Sequence, residues 1–235
     1  MLPVAILAGG LGTRLHPLTA DQPKSLLLIA GRPFLAHQLE LLRDQGVERV
    51  VLCVGHLGEQ IRALIGDGHE FGLTVDYSFD GPQPLGTGGA LRQALPQLGA
   101  RFFVLYGDAY LPCSFVQVQR AFERCDRPAL MTVLRNDNRW DRSNVAFREG
   151  GQIDYDKSAR ASGMTHIDFG LSVLASTVFA PYVDDHAIDL ADIHRELSRQ
   201  GALAAFEVAQ RFYEIGSPRG LRDTESFLSQ RRIAP

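Results

Sequence analysis

Short, almost unbroken apolar segments alternate with stretches of helical spacing along the first half of this chain, and few architectures accept that pattern. Val4–Ala8, Glu48–Val54, Leu73–Ser78, Arg101–Tyr106 and Ala129–Leu134 read as strands. The run Val50-Val51-Leu52-Cys53-Val54 shows no polar alternation. A strand with one wet face would show it, so both faces must be covered, as in a parallel sheet. Between the strands lie a helix that opens at Pro33, carries Leu35, Leu39 and Leu42 and stops near Gly46, and further helices over Glu59–Ile65, Gly88–Leu95 and Ser114–Arg124. Leu26–Ile29 reads as a short extended piece ending at Gly31. This order predicts an α/β fold with a doubly wound, mainly parallel, Rossmann-like sheet. Ligands of such sheets sit beyond the carboxyl ends of the strands.

The second half reads differently. Val145–Arg148 and Ile153–Tyr155 suggest a hairpin about Gly150-Gly151, and His166–Ser172 another strand. A helical segment with Ile188, Ala191, Ile193 and Leu197 precedes strand Leu203–Val208. Phe212–Ile215 is a short strand, and Gly216-Ser217-Pro218 opens a last helix to about Leu228. At 235 residues one well-buried domain is expected, without internal repeats.

A formal net charge of −3 gives no reason to expect nucleic acid or an anionic membrane as partner. Any positive potential must be local. Cys53, Cys113 and Cys125 have no metal-ligand spacing and leave an odd thiol, as in a reduced, cytoplasmic protein. The chain enters its first strand at once, so no export signal is expected, and no apolar stretch approaches a membrane span.

The strongest chemical signal follows the first strand. Leu7-Ala8-Gly9-Gly10-Leu11-Gly12-Thr13-Arg14-Leu15 is closed by Pro23-Lys24-Ser25. Three glycines in four positions let several N–H groups approach one anion. Arg14 adds a planar fork of donors and Lys24 a point charge, which together make a triphosphate grip. A dinucleotide fingerprint would need a glycine at position 15, which is Leu; a Walker loop would need glycine before Lys24, which follows Pro23. No histidine pair suggests zinc, and no nucleophile signature is present.

With Pro17, Thr19, Pro23 and Lys24, this segment resembles the signature of the sugar-1-phosphate nucleotidyltransferases, the NDP-sugar pyrophosphorylases, and the resemblance runs along nearly the whole chain. It implies that Leu7, Ala8, Gly9, Gly10, Gly12, Thr13, Arg14 and Lys24 bind nucleotide, with Arg14 and Lys24 in catalytic roles. Pro84-Leu85-Gly86-Thr87-Gly88-Gly89-Ala90 matches the family's base-recognition loop, which gives base contact to Gly86, Thr87, Gly88 and Gly89; Thr87 could equally cap a helix. Asp108, in Gly107-Asp108, matches a Mg2+ ligand. The second ligand falls on Glu214, where relatives carry Asp. Lys157 stands where the family binds the phosphate of the incoming sugar phosphate. Asn144, Asp168 and Gly170 align with acceptor-contacting positions. Trp140 could stack on a sugar face or serve packing.

The resemblance implies three stretches: a nucleotide-binding half over 1–134, a small β-rich sugar-phosphate-binding insertion over 135–185, and a closing segment over 186–235. No C-terminal β-helix is expected. The implied reaction joins a nucleoside triphosphate to a sugar 1-phosphate and releases pyrophosphate. GTP with a manno-heptose or hexose 1-phosphate is the leading pair, the look being that of the bacterial manno-heptose 1-phosphate guanylyltransferases. Uridylyl, cytidylyl or thymidylyl transfer stays open, as do a glycosyltransferase and a non-catalytic nucleotide-sugar sensor. Asp108-Ala109-Tyr110 lacks the second Asp that many metal-dependent glycosyltransferases carry. A homodimer is an assembly the sequence does not decide.

Overall fold

A computed structural model describes residues 1–147, 152–158, 163–182 and 187–233. The chain runs β1 (Val4–Leu7), β2 (Leu28–Ile29), β3 (Arg32–Pro33), α1 (Phe34–Asp44), β4 (Arg49–Val54), α2 (Gly58–Ile65), β5 (Thr74–Phe79), α3 (Gly86–Leu98), β6 (Arg101–Tyr106), β7 (Ala109–Tyr110) and α4 (Phe115–Arg124). It continues through β8 (Ala129–Arg135), β9 (Val145–Phe147), β10 (Ile153–Tyr155), β11 (His166–Ala175), α5 (Leu190–Arg199), β12 (Leu203–Val208), β13 (Tyr213–Glu214) and α6 (Pro218–Ile233).

Among the described residues nine strands form one sheet. Its centre is the parallel set β6-β1-β4-β5, with β1 paired to β4 on one side and β6 on the other. The apolar runs are continuous because both faces are roofed. On β4, Val50, Leu52 and Val54 enter one core, which Leu35, Leu39 and Leu42 of α1 share; Val51 and Cys53 enter the other, with Leu91 of α3 and Ile193 of α5. The fold is the expected Rossmann-like one.

Several expected boundaries move. Lys24–Leu26 is a 3-10 turn, so the extended piece shrinks to β2. Helix α3 begins at Gly86, two residues early, and Ile188 lies ahead of α5 instead of inside it. β9 and β10 pair antiparallel as a hairpin would, while Gly150-Gly151 and Arg148 lie outside the described residues. The described strands within 135–185 join the main sheet: β11 pairs antiparallel with both β6 and β8, and β9-β10 extends the same edge. A bulge in β11 between Asp168 and Ser172 holds Gly170 at φ 95°, a left-handed value that favours glycine. Among the described residues no helix is long and apolar enough to cross a membrane.

Candidate active site

The four central parallel strands end on one rim, and their exit loops enclose a cavity of about 550 Å3. Leu7, Ala8, Gly9 and Gly10 line its middle, Gly86 and Thr87 one end, Lys24 and Asp108 the other. Gly12, at φ 64°, turns the loop into a 3-10 helix, and Thr19 Oγ1 donates to Gly12 O at 2.9 Å to hold that turn. A Cβ at Gly9 would stand 3.1 Å from Gly55 N, so the loop leans on the exit of β4. A Cβ at Gly10 would meet no atom within 4 Å. Neither packing nor a positive φ requires glycine there. Thr13 and Arg14 are exposed.

Gly107-Asp108 crosses the end of β1. Gly107 N donates to Leu7 O at 2.9 Å, and a Cβ on Gly107 would lie 2.8 Å from that oxygen. From beneath, the buried amide of Gln38 donates to Tyr106 O and Ala109 O at 3.0 and 2.7 Å, pinning the turn. Immediately after it, β7 pairs with β13, Glu214 opposite Ala109, and Ile215 N donates to Asp108 O at 2.9 Å. This ladder brings two carboxylates from opposite ends of the chain together. Arg14 Nη2, Glu214 Oε2 and Asp108 Oδ2 all lie within 3.0 Å of where a Gly216 Cβ would stand, so only glycine leaves that space open.

Lys24 Nζ bonds Asp108 Oδ2 at 2.5 Å, both side chains mostly shielded. Glu214 is held by its own loop: Gly216 N–H donates to Oε2, and Ser217 Oγ donates to Oε1 at 2.6 Å. Two carboxylates suit Mg2+, which takes one or two of them and completes six oxygens with phosphates and water. No third metal-binding side chain joins them among the described residues, so substrate oxygens and water would complete the shell. Asp108 also lines a second cavity of about 400 Å3, shared with Arg14, Glu214, Arg211 and Trp140. There Trp140 packs edge-on against Phe212 with Arg211 over its ring.

Thr87 does not cap its own helix. Its Oγ1 donates to Asp189 Oδ1 at 2.9 Å and accepts from Leu190 N at 2.8 Å, so it serves the start of α5. Gly88 and Gly89 are buried, and their N–H groups donate to Ile188 O at 2.7 and 3.3 Å. Their amides are spent within the protein, and neither residue lines the cavity.

Among the residues expected to face the acceptor, Asn144 Oδ1 accepts from Asp168 N and Asp168 Oδ1 from Gly170 N, each at 2.9 Å. Burial lifts the Asp168 carboxyl to about 6, against the lowering effects of Gly170 N–H and the Lys157 charge. Lys157 is exposed and bonds Asp189 Oδ2 at 2.6 Å. Burial pushes Asp189 up, but the bonds from Lys157, Ala191 and Thr87 hold its carboxyl below the usual range. Burial raises the Tyr106 phenol, and Asp168, Tyr155, Asp189 and Asp108 add to the effect.

Sequence reasoning missed Gln38, Asp80 and Asp189. Gln38 had a signal, a lone amide on the apolar face of α1 beside Leu35 and Leu39. Asp80 also had one, a carboxylate directly beyond a strand end.

Residues 4–144 match the family model described as Nucleotidyl transferase, and the chain belongs to that family. It is similar to D-glycero-alpha-D-manno-heptose 1-phosphate guanylyltransferase of Campylobacter jejuni, 29% identical over 91% of this chain and 94% of that one. It is 40% identical to N-acetylmuramate alpha-1-phosphate uridylyltransferase of Neisseria meningitidis over a stretch covering 47% of this chain and 48% of that one. Among solved structures, HddC from Yersinia pseudotuberculosis complexed with GMP-PN superposes with a TM-score of 0.79, 25% identity and coverage of 97% and 100%. The chain spans about half the length of the first curated relatives it matches.

Proposed function

We propose that this chain transfers a nucleotidyl group from a nucleoside triphosphate to a sugar 1-phosphate, with Mg2+ as cofactor, giving an NDP-sugar and pyrophosphate. The observation that carries this reading is the meeting of Arg14, Asp108 and Glu214 around Gly216, beside a cavity floored by Gly9 and Gly10.

The phosphate oxygen of a sugar 1-phosphate is already an anion, so the reaction needs no general base. It attacks the α-phosphorus in line, the new P–O bond forming as the bond to the β-phosphate breaks, and pyrophosphate carries away the electron pair. The work left to the protein is positioning and charge neutralisation. Amides of Gly9–Gly12 and the Arg14 fork hold the β- and γ-phosphates. Lys24 turns from Asp108 to the α-phosphate oxygens. Asp108 and Glu214 would hold Mg2+, which supplies positive charge at the phosphate oxygens when bound. Lys157, released from Asp189, meets the acceptor phosphate, and Asp168 accepts from sugar hydroxyls while Asn144 and Gly170 fix its position. The stretches 1–134, 135–185 and 186–235 thus serve nucleotide, acceptor and second carboxylate.

GTP with a manno-heptose or hexose 1-phosphate is the pair supported by the Campylobacter relative and the Yersinia complex. Uridylyl transfer is the second reading, supported by the Neisseria relative. The test is product identification by mass spectrometry after mixing the protein, Mg2+, five nucleoside triphosphates and a panel of sugar 1-phosphates that includes manno-heptose 1-phosphate. An NDP-sugar from one dominant pair is expected. No NDP-sugar from any pair, with nucleotide still bound, would favour a sensor.

A further inference from the structure

The amide of Gln38 is a polar group on a helix face that is otherwise apolar. Its neighbours three and four residues away on α1, Phe34, Leu35, Leu41 and Leu42, are all buried, and Gln38 itself is 0% exposed. Nε2 donates to Tyr106 O at 3.0 Å and to Ala109 O at 2.7 Å. Carbonyl oxygens only accept, so the NH2 end must face them, and both its hydrogens are spent. Oε1 is left buried with no hydrogen-bond partner among the described residues. A buried acceptor without a donor opposes folding, so a leucine or methionine would suit this face better. What the amide supplies in return lies at Asp108.

The two carbonyls bracket Gly107-Asp108 just where the sheet stops supporting the chain. Leu7–Tyr106 is the last pair between β1 and β6, and Leu171–Leu105 the last between β11 and β6. Beyond them Gly107 N–H still reaches Leu7 O, and Ile215 N–H reaches Asp108 O, while Tyr106 O and Ala109 O turn to Gln38. The same helix holds the segment that follows Lys24. Phe34 N–H donates to Leu27 O at 2.9 Å, and His37 Nε2 bonds Ile29 O at 2.7 Å. Helix α1 thus ties down both stretches of chain that bring Lys24 and Asp108 together.

We propose that Gln38 is a positioning residue for the divalent cation: it holds the Gly107-Asp108 turn so that the Asp108 carboxylate stays beside Glu214. The inference rests on the metal site assigned above and names the side chain that keeps it assembled. Mg2+ is strict about octahedral geometry and tolerates little drift of a ligand. Side chains that orient a ligand without touching the metal typically govern its affinity by about 10–100-fold.

The experiment compares the full chain, wild type and Gln38→Met, by two readouts. Met keeps the length and suits the apolar face, but it donates nothing. Amide hydrogen exchange without metal should be about tenfold faster in the variant at Gly107 and Ile215, with Leu52 and Phe103 in the central strands unchanged. Mn2+ binding, read from the free-ion electron paramagnetic resonance signal, should weaken by about 10–100-fold. Faster exchange at all four amides would mean that Gln38 only supports the fold, and it overturns the proposal, as does unchanged exchange at Gly107 and Ile215 or unchanged Mn2+ affinity. Wild type that leaves Mn2+ free overturns the metal site itself, while exchange at Gly107 and Ile215 still decides whether Gln38 holds the turn. Should the Met variant fail to fold, Gln38→Asn, whose amide is one methylene short of the two carbonyls, is measured in the same way with the same result expected.

Discussion

Asp108 and Lys24 pair at 2.5 Å, and in the proposed reaction each exchanges that partner, Asp108 for cation and Lys24 for substrate. Removing either should cost the transition state one charge contact. Lys24→Ala and Asp108→Ala are each expected to lower kcat/KM by about 10²–10³-fold, measured as pyrophosphate release. Near-normal turnover in either would remove it from the reaction. Glu214 is one methylene longer than the family's Asp, and its surroundings make room for it. A Cβ at Gly220 would fall 1.7 Å from Glu214 Oε1, so the first turn of α6 accepts the longer side chain only because Gly220 has none. Asp168 gives a pH prediction. Its folded carboxyl titrates near 6, above the unfolded value of 3.8, so the native state holds its proton more firmly. Its ionisation therefore costs stability above pH 6, and the cost fades as pH falls toward 3.8. Asp168→Asn should raise Tm at pH 7.5, and the gain should vanish near pH 4. An equal gain at both values would show that ionisation is not the cause.

At the scale of elements, two short contacts assemble the site from distant chain. The β7–β13 ladder carries Asp108 to Glu214, and Thr224 Oγ1 of α6 donates to Glu214 O at 2.8 Å. Asp189 caps α5 through Ala191 N, receives Thr87 from α3 and holds Lys157. Losing that cap should cost about 1 kcal/mol in urea unfolding of Asp189→Ala, within a range of about 0.5–2. It should also change the KM for sugar 1-phosphate, because Lys157 loses its resting partner; an unchanged KM would detach Lys157 from the acceptor. The legibility of these elements differed for physical reasons. Strand β6 matches its apolar run end to end, since burial on both faces writes itself into composition. The direction of β11 was not legible, because a strand's side-chain pattern is the same whether its neighbour runs parallel or antiparallel. Nor was the commitment of the Gly88 and Gly89 amides, which depends on Ile188 about a hundred residues away.

Across the whole molecule, the rim collects what local sequence announced and joins it to what local sequence could not. The glycine loop and Gly107-Asp108 each follow an apolar strand, so the sequence alone places both on one edge. Gln38, Asp80 and Asp189 act through tertiary neighbours, and their types are common wherever a polar residue is tolerated. What unites the rim is a glycine floor at Gly9 and Gly10 beside a charged corner at Arg14, Lys24, Asp108 and Glu214. In the proposed reaction Lys24 and the two carboxylates neutralise charge and do not attack phosphorus, so the transfer is direct. Exchange of labelled pyrophosphate into GTP tests that claim in one measurement. Direct transfer predicts exchange in the presence of Mg2+ and the matching sugar 1-phosphate, and none without the sugar phosphate. Exchange with GTP alone would reveal a nucleotidyl-enzyme, and no exchange with any sugar 1-phosphate would contradict nucleotidyl transfer itself.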